Sequence, residues 1–358
     1  MIDSAQVVRP GEEIDAAALA AWLKGKLLGI EGPVTVEQFP GGHSNLTYLL
    51  RFGNSELVLR RPPFGSRVKT AHDMGREYRV LSRLYAVYPK APRALLHCDD
   101  PEVIGAPFYI MERVRGVILR HPQAPQGIDL PPERMRATSE AAVDGLADLH
   151  AVDYRAAGLE DLGKPEGYAA RQVEGWTGRW RKSRTEEVPD LDRAAAWLAA
   201  SLPAESGAAL IHNDYKYDNL VLYPQELERV VAVLDWEMAT VGDPLMDLGT
   251  SLGYWMDPDD APELRLLPAG PTTLPGNLSR AGVVERYAAR TGRDVSQILF
   301  YYVYGLFKVA VIAQQIYYRY AQGLTRDERF ASLIGAVRIL GHTASQAIAK
   351  NRIDRLEI

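Results

Sequence analysis

Apolar residues first recur at helical spacing and then alternate. Leu19, Trp22, Leu23 and Leu27 share one face of a helix expected over residues 15–28, capped by Asp15 and ended by the stretch from Gly29 to Pro33. Residues 34–39 alternate, and residues 46–52 are rich in β-formers. Gly53-Asn54 is a turn dipeptide, and residues 56–60 return as a third strand. The result is an antiparallel meander with Gly41-Gly42 in its first turn, followed by the loop Arg61-Pro-Pro-Phe-Gly. A helix is expected over 72–85, with Tyr78, Leu81, Leu84 and Tyr85 as its apolar positions. Strands at 94–98 and 107–111 are joined by a turn around Pro101 and Gly105. After Gly116 the pattern changes. Pro131-Pro132 opens a long helix over 133–150. Apart from short strands near Leu210, Val221 and 231–234, the remainder is helical. The most apolar stretch, 298–312, contains Lys308 and stops at Gln314-Gln315. That is short of the ~20 residues needed to span a bilayer, so a buried helix is expected.

An α+β architecture follows, with a β-rich unit before an α-rich one and a boundary at 112–116. The composition, 47% hydrophobic and 24% charged, is that of a globular enzyme able to bury a sizeable core. The net charge is −5 with both signs scattered, so no basic footprint for nucleic acid is present. The single cysteine, Cys98, excludes an intrachain disulfide and a cysteine-based zinc site, and it reads as an ordinary semi-buried thiol rather than a nucleophile. Residues 1–6 lack the basic and apolar regions of a signal peptide. A cytoplasmic location, no membrane partner and a monomer or homodimer are the expectations.

The chemistry-bearing segment is His212-Asn-Asp214-Tyr-Lys216-Tyr-Asp-Asn219, which lies between the apolar stretches 208–211 and 220–223. A second acidic centre, Asp235-Trp-Glu237, follows the apolar run 230–234. Taken singly, such Asp and Asn residues make turns and caps. Their order and spacing together carry the signal. H-x-D-x-x-x-x-N followed by an Asp after a short strand is the catalytic-loop and metal-site pattern of kinases. With Gly242-Asp243-Pro244 and Asp247 downstream, it resembles the aminoglycoside phosphotransferase and choline kinase superfamily. The fuller strings HNDYKYDNLVL and VLDWEMATVGDPLMDLG are similar to the kinase-like domain at the N-terminus of some acyl-CoA dehydrogenase family proteins, over residues 30–350.

The resemblance implies a protein kinase-like two-lobe fold. Residues 1–111 would form a nucleotide-binding lobe, 112–116 a hinge and 117–358 a helical catalytic and substrate lobe. The donor would be ATP or GTP with Mg²⁺, and the acceptor a small-molecule hydroxyl. Phosphoryl transfer needs an in-line hydroxyl and cations to neutralise charge. Asp214 would take or orient the hydroxyl proton, and Lys216 would meet the γ-phosphate. Asn219 and Asp235 would offer Mg²⁺ the hard oxygen ligands it prefers. His212 would brace the loop, and Asp247 would support it from behind. Asp218 and Asp243 read as backbone-bonding turn residues.

Backbone amides of Gly41, Gly42, Ser44 and Asn45 are placed to approach phosphates, although Gly-Gly is also a plain hairpin turn. No G-x-x-x-x-G-K-[ST] is present, which disfavours a P-loop ATPase. Where protein kinases carry a phosphate-binding lysine, this chain has Arg60, always charged and able to grip phosphate bidentately. Strand alternation sends its rival Arg61 to the opposite face. Glu77 is the expected partner of Arg60. Met111 would stand behind the adenine, with the Glu112 carbonyl and Val114 amide at its edge.

The acceptor side is less determined. Tyr168, Trp176 and Trp180 form a helical stripe that reads as core. Arg171, Arg179, Lys182 and Arg184, on the opposite face, are either solvated or meet an anionic substrate such as a CoA thioester. Tyr254 and Trp255 either line the acceptor pocket or simply pack. Asp257, Asp259, Asp260 and Glu263 read as a solvated acidic turn. The resemblance favours a hydroxyacyl-CoA or hydroxy acid over an aminoglycoside or amino alcohol. A nucleotide-binding pseudokinase or scaffold is the alternative of a different class, with Arg60 as its support. A serine or cysteine hydrolase is disfavoured, since no G-x-S-x-G elbow is present and Cys98 lacks a nucleophile's context.

Overall fold

The computed structural model describes residues 4–27, 30, 32–40, 45–64, 73–267, 270–325 and 327–356. They form two compact units. The first comprises 1–117 together with 221–224 and 231–237, and the second comprises 118–220, 225–230 and 238–358.

The first unit is built on a five-stranded antiparallel sheet of order β1-β2-β3-β5-β4. Its strands are β1 (Thr35–Gln38), β2 (Leu46–Phe52), β3 (Ser55–Arg61), β4 (Ala94–Cys98) and β5 (Phe108–Glu112). Gly53 turns β2 into β3 at φ 56°. Tyr48, Leu50, Leu57, Leu59, Phe108 and Ile110 cover one face of the sheet and pack with Leu19 and Leu23 of α1 (Ala16–Leu23). Helix α1 is shorter than expected. Asp15 caps it as foreseen, but the chain leaves the helical region at Lys24 and takes a positive φ at Gly25. Leu27 still packs on the core from outside the helix. Helix α2 (Met74–Leu84), capped by Asp73, buries Met74, Glu77, Val80, Leu81 and Leu84. Tyr85, expected on that face, is exposed. His72, the expected first residue of this helix, lies outside the described residues.

The second unit is mainly helical. Its helices include α3 (Pro132–His150), α4 (Tyr168–Ser183), α5 (Pro189–Ala200), α6 (Pro244–Gly253), α7 (Pro262–Arg265), α8 (Arg280–Thr291), α9 (Ile298–Ala321) and α10 (Leu333–Lys350). Strands β7 (Leu220–Tyr223) and β8 (Glu226–Val233) make a hairpin that contributes residues to each unit. Strand β6 (Ala209–Ile211) pairs antiparallel with β9 (Thr240–Gly242), which the sequence pattern did not single out. Three residues are too few for a period to emerge.

Helix α9 runs nine residues beyond its expected end. Gln314 does not stop it, because its amide is buried and donates to the Ser183 carbonyl (2.7 Å) and Thr185 Oγ1 (3.0 Å). At 24 residues it is long and apolar enough to cross a membrane, but 72% of its apolar window is buried among its neighbours, as in a core helix. It packs backbone to backbone against α6. A Cβ on Gly305 would collide with the Gly249 carbonyl, and one on Gly249 with the Tyr301 carbonyl. The two glycines let the backbones touch. Gly305→Ala should therefore lower unfolding free energy by about 2–3 kcal/mol, seen as a lower urea midpoint with unchanged m-value.

Candidate functional site

The chain enters the candidate site from β6. Pairing of β6 with β9 brings the 212–219 loop beside the segment that leads into α6. Asp243 caps α6 by accepting the Leu245 N–H (2.8 Å), as its turn assignment anticipated. One turn into this helix, the fully buried Asp247 aims its carboxylate back at the loop. Oδ2 accepts the His212 N–H and Oδ1 the Asn213 N–H, each at 2.7 Å. His150, the last residue of α3, stands 3.1 Å from Asp247 through Nε2 and 2.7 Å from the Tyr287 hydroxyl through Nδ1. Burial opposes the Asp247 charge. The His150 hydrogen bond, the nearby histidines and the backbone N–H outweigh it and hold the carboxyl below its ordinary range.

Asn213 sits at φ 67°, in the left-handed region that asparagine tolerates better than most residues. The turn places the next peptide between two partners. The Asp214 N–H donates to His212 Nδ1 (3.2 Å), and the Asn213 carbonyl accepts from Lys308 Nζ (2.6 Å). His212 thus braces the loop from within. The Asp214 carboxylate then meets Lys216 Nζ (3.0 Å) and Asn219 Nδ2 (3.0 Å), and the same Nδ2 also donates to the Asp214 carbonyl (2.8 Å). With its nitrogen committed to Asp214, Asn219 has its amide oxygen left to offer a cation. Burial works against the Lys216 charge, yet Tyr254, Asp214 and Asp218 together push its pKa up, so it stays an ammonium.

Beside Lys216 opens a small cavity lined by Tyr217, Asp218, Ser251, Tyr254 and Trp255. The Tyr217 and Trp255 rings lie 5.4 Å apart, tilted by 34°, and are fixed by bonds from the Tyr217 hydroxyl to Asn277 (2.9 Å) and from Trp255 Nε1 to the Leu278 carbonyl (2.7 Å). The Lys216 ammonium lies 4.5 Å from the Tyr254 ring. The buried Ser251 hydroxyl has no hydrogen-bond partner among the described residues. Asp218, read from sequence as a backbone-bonding turn residue, instead lines this cavity, where burial raises its pKa against the pull of Lys216.

In the first unit, Arg60 and Glu77 meet as expected, at 3.5 Å. The Arg60 guanidinium also reaches Asp235 (3.0 Å) and Glu237 (3.7 Å), so one buried cation faces three carboxylates. Burial opposes the Arg60 charge, but those carboxylates raise its pKa well above the usual value. Burial raises that of Glu77 against the effect of Arg60. Arg61 turns the other way, as alternation requires, and donates to the Ile104 carbonyl (2.9 Å). Asp235, like Asn213, is a non-glycine at positive φ (68°). The two left-handed residues mark the two acidic centres, where such strain is often stored. Asn45 donates to Glu237 (2.8 Å). Gly41, Gly42 and Ser44 lie outside the described residues. Met111 is buried near the end of β5, followed by Glu112 and the half-buried Val114.

Two acceptor-side readings resolve. Tyr168, Trp176 and Trp180 are core residues, and Arg179 is exposed, its guanidinium stacked 4.4 Å over Trp176. The acidic turn is only half solvated. Asp257 and Asp260 are buried against the fully buried Arg280, with Arg280 NH1 2.6 Å from Asp260 and its backbone N–H 2.9 Å from Asp257. The missing cue was Arg280, twenty residues along the sequence from Asp260.

The family assignment rests on both sequence and fold. The phosphotransferase enzyme family matches residues 35–281. A Ralstonia eutropha protein of solved structure, provisionally described as an aminoglycoside phosphotransferase, is 32% identical. It aligns with a TM-score of 0.79 over 94% of this chain and 99% of that one. Acyl-CoA dehydrogenase family member 10 of Mus musculus is 36% identical over 326 residues, which is 90% of this chain but 30% of that protein. The chain spans between 30% and 45% of the length of the curated relatives it matches. An aminoglycoside phosphotransferase solved with ADP and hygromycin B shares the fold at 15% identity, with a TM-score of 0.57 over 91% of this chain and 98% of that one. The chain belongs to the phosphotransferase enzyme family and has the kinase-like α+β fold of its aminoglycoside phosphotransferase neighbours.

The depressed Asp247 pKa fixes the sign of one pH effect. Its stabilisation is complete above the ordinary aspartate value of 3.8 and is lost as pH falls below it toward the native value. Asp247→Asn should flatten this part of the acid-denaturation profile. Asp247→Ala, which strands the His212 and Asn213 N–H groups and His150, should cost about 3–5 kcal/mol in a urea melt at pH 7.

Proposed function

We propose that this phosphotransferase moves the γ-phosphate of ATP or GTP to a hydroxyl of a small molecule. The observation that carries the reading is the bracketed loop. Lys216 and Asn219 converge on the Asp214 carboxylate, and every peptide N–H from 212 to 214 has a defined acceptor. In this reading Asp214 accepts the acceptor's proton as its oxygen bonds to phosphorus. The bond from that phosphorus to the bridging oxygen breaks, and the nucleoside diphosphate departs. Lys216 lies against Asp214, where its ammonium can balance charge on the transferring group.

The donor set suits magnesium. Asn219 in the second unit keeps its amide oxygen while its nitrogen bonds Asp214, and Asp235 in the first unit carries a carboxylate; both are the hard oxygens that Mg²⁺ prefers. When bound, the ion would supply charge neutralisation at the phosphates. Arg60 is the candidate phosphate cation in the first unit, tethered by Glu77, with Met111, Glu112 and Val114 at the adenine.

For the acceptor, the likeness to acyl-CoA dehydrogenase family proteins supports a hydroxyacyl-CoA or hydroxy acid. The aromatic pair Tyr217 and Trp255 beside Lys216 suits a partly apolar molecule, whereas Arg179 stacks on Trp176 and is not among the residues that line this cavity. A polycationic aminoglycoside is less well served. Two of the four acidic residues the sequence offered for it are committed to Arg280.

The test is ADP release from Mg-ATP across a panel of hydroxyacyl-CoAs, hydroxy acids, amino alcohols and aminoglycosides. The expected result is turnover with the first two classes, abolished by EDTA. Asp214→Asn should reduce kcat by at least ~10²-fold with nucleotide affinity retained. Arg60→Ala should weaken nucleotide binding about 10-fold or more. Metal-dependent nucleotide binding without turnover on any acceptor would instead mark a binding module.

A further inference from the structure

Lys308 is charged, lies in the middle of the long apolar helix α9, and is 1% exposed. A lysine in such a place is costly unless its ammonium has a dedicated partner. Its strongest bond is the 2.6 Å contact to the Asn213 carbonyl, with Asn213 Oδ1 and Thr250 Oγ1 each at 3.4 Å and the Trp176 ring 5.8 Å away. The carbonyl and the Asp214 N–H belong to the same peptide group. Lys308 holds its oxygen end while His212 Nδ1 holds its nitrogen end. Asp247 holds the two preceding N–H groups, and the Asn213 side chain is separately tied to the Tyr168 hydroxyl and the Met238 carbonyl, each at 3.1 Å. Asn213 needs these restraints because its φ of 67° is not a conformation the chain takes by default. If that residue relaxed, the following peptide would rotate and carry Asp214 with it.

We propose that Lys308 is a positioning residue for phosphoryl transfer. Its ammonium holds the Asn213 carbonyl and so fixes the peptide that presents the Asp214 carboxylate. The kinetic part of the proposal rests on the phosphotransferase reading, and the structural part does not. The charge is also tunable. Burial lowers the Lys308 pKa to about 8, with Asp247 and Asp214 favouring the ammonium and Lys216 and Arg179 opposing it. Below that value the charge-assisted bond is complete. Above it a weaker neutral bond remains.

Lys308→Met keeps the length and removes the donor. Hydrogen–deuterium exchange at pH 7, compared between peptides 209–216 and 333–350, reads the restraint without any activity. Exchange in 209–216 should rise about 10- to 100-fold, with 333–350 unchanged. An unaltered 209–216, or an equal rise in both peptides, overturns the proposal. With Mg-ATP and water as the acceptor probe, kcat should fall about 10- to 100-fold while the KM for ATP stays within about 2-fold. A raised KM with unchanged kcat overturns it. Wild-type kcat should decline above pH 8, and the decline should be absent in the variant. A wild-type rate that is flat from pH 7 to 9.5 counts against the proposal. If Lys308→Met does not fold, Lys308→Gln takes its place in the same exchange comparison. A wild type that hydrolyses no ATP removes the support this probe gives the phosphotransferase reading and leaves the exchange result to decide on Lys308.

Discussion

The second unit depends on one buried carboxylate. Asp247 accepts hydrogen bonds from the consecutive N–H groups of His212 and Asn213 and faces His150 on its other side. A charge fully removed from water needs such partners, because an unpaired one would cost several kcal/mol. The requirement works in both directions. The backbone donors keep Asp247 ionised, and Asp247 keeps the backbone in a conformation it would otherwise leave. Everything that follows in the chain, from Asn213 at positive φ to Asp214 and its contacts with Lys216 and Asn219, inherits its orientation from that bond pair. Three elements supply the frame: α6 brings Asp247, α3 brings His150 and α9 brings Lys308. The glycine contact between α6 and α9 lets two of them approach within backbone distance.

The first unit solves a related problem with the opposite sign. Arg60 is a buried cation facing Glu77, Asp235 and Glu237. A lysine there would be a compact point charge. The planar guanidinium can meet several carboxylates at once and stays charged whatever its surroundings. Its presence at a position where protein kinases use lysine is thus matched by an acidic cluster that suits arginine.

Much of this was legible in one dimension. The β-formers at 46–52 and the Gly53-Asn54 turn located both strands, and strand geometry, which makes neighbouring side chains diverge, assigned Arg60 and Arg61 to opposite faces. The order His212, Asp214, Lys216 and Asn219 was readable because residues 212–219 are a local loop whose spacing is set by a tight turn. His150 and Lys308 were not singled out for the site. Each is a lone polar residue at a helix end or in an apolar run, and its partner lies 97 or 95 residues away. The pairing of Asp257 and Asp260 with Arg280 was hidden for the same reason, and an acidic run after a proline looks solvated until its cation is found.

By itself, the sequence determined what is local: the α+β division, the strand faces, the helix cap at Asp15, and the identity and order of the loop residues. Those features follow from backbone sterics, side-chain period and short-range hydrogen bonds. Tertiary structure alone decided which charges are buried and which carbonyl receives the lone lysine of the apolar helix. It also decided how far α9 extends and whether an acidic turn faces solvent. These outcomes depend on desolvation, which is a property of everything packed around a group, and no window of neighbouring residues contains that information.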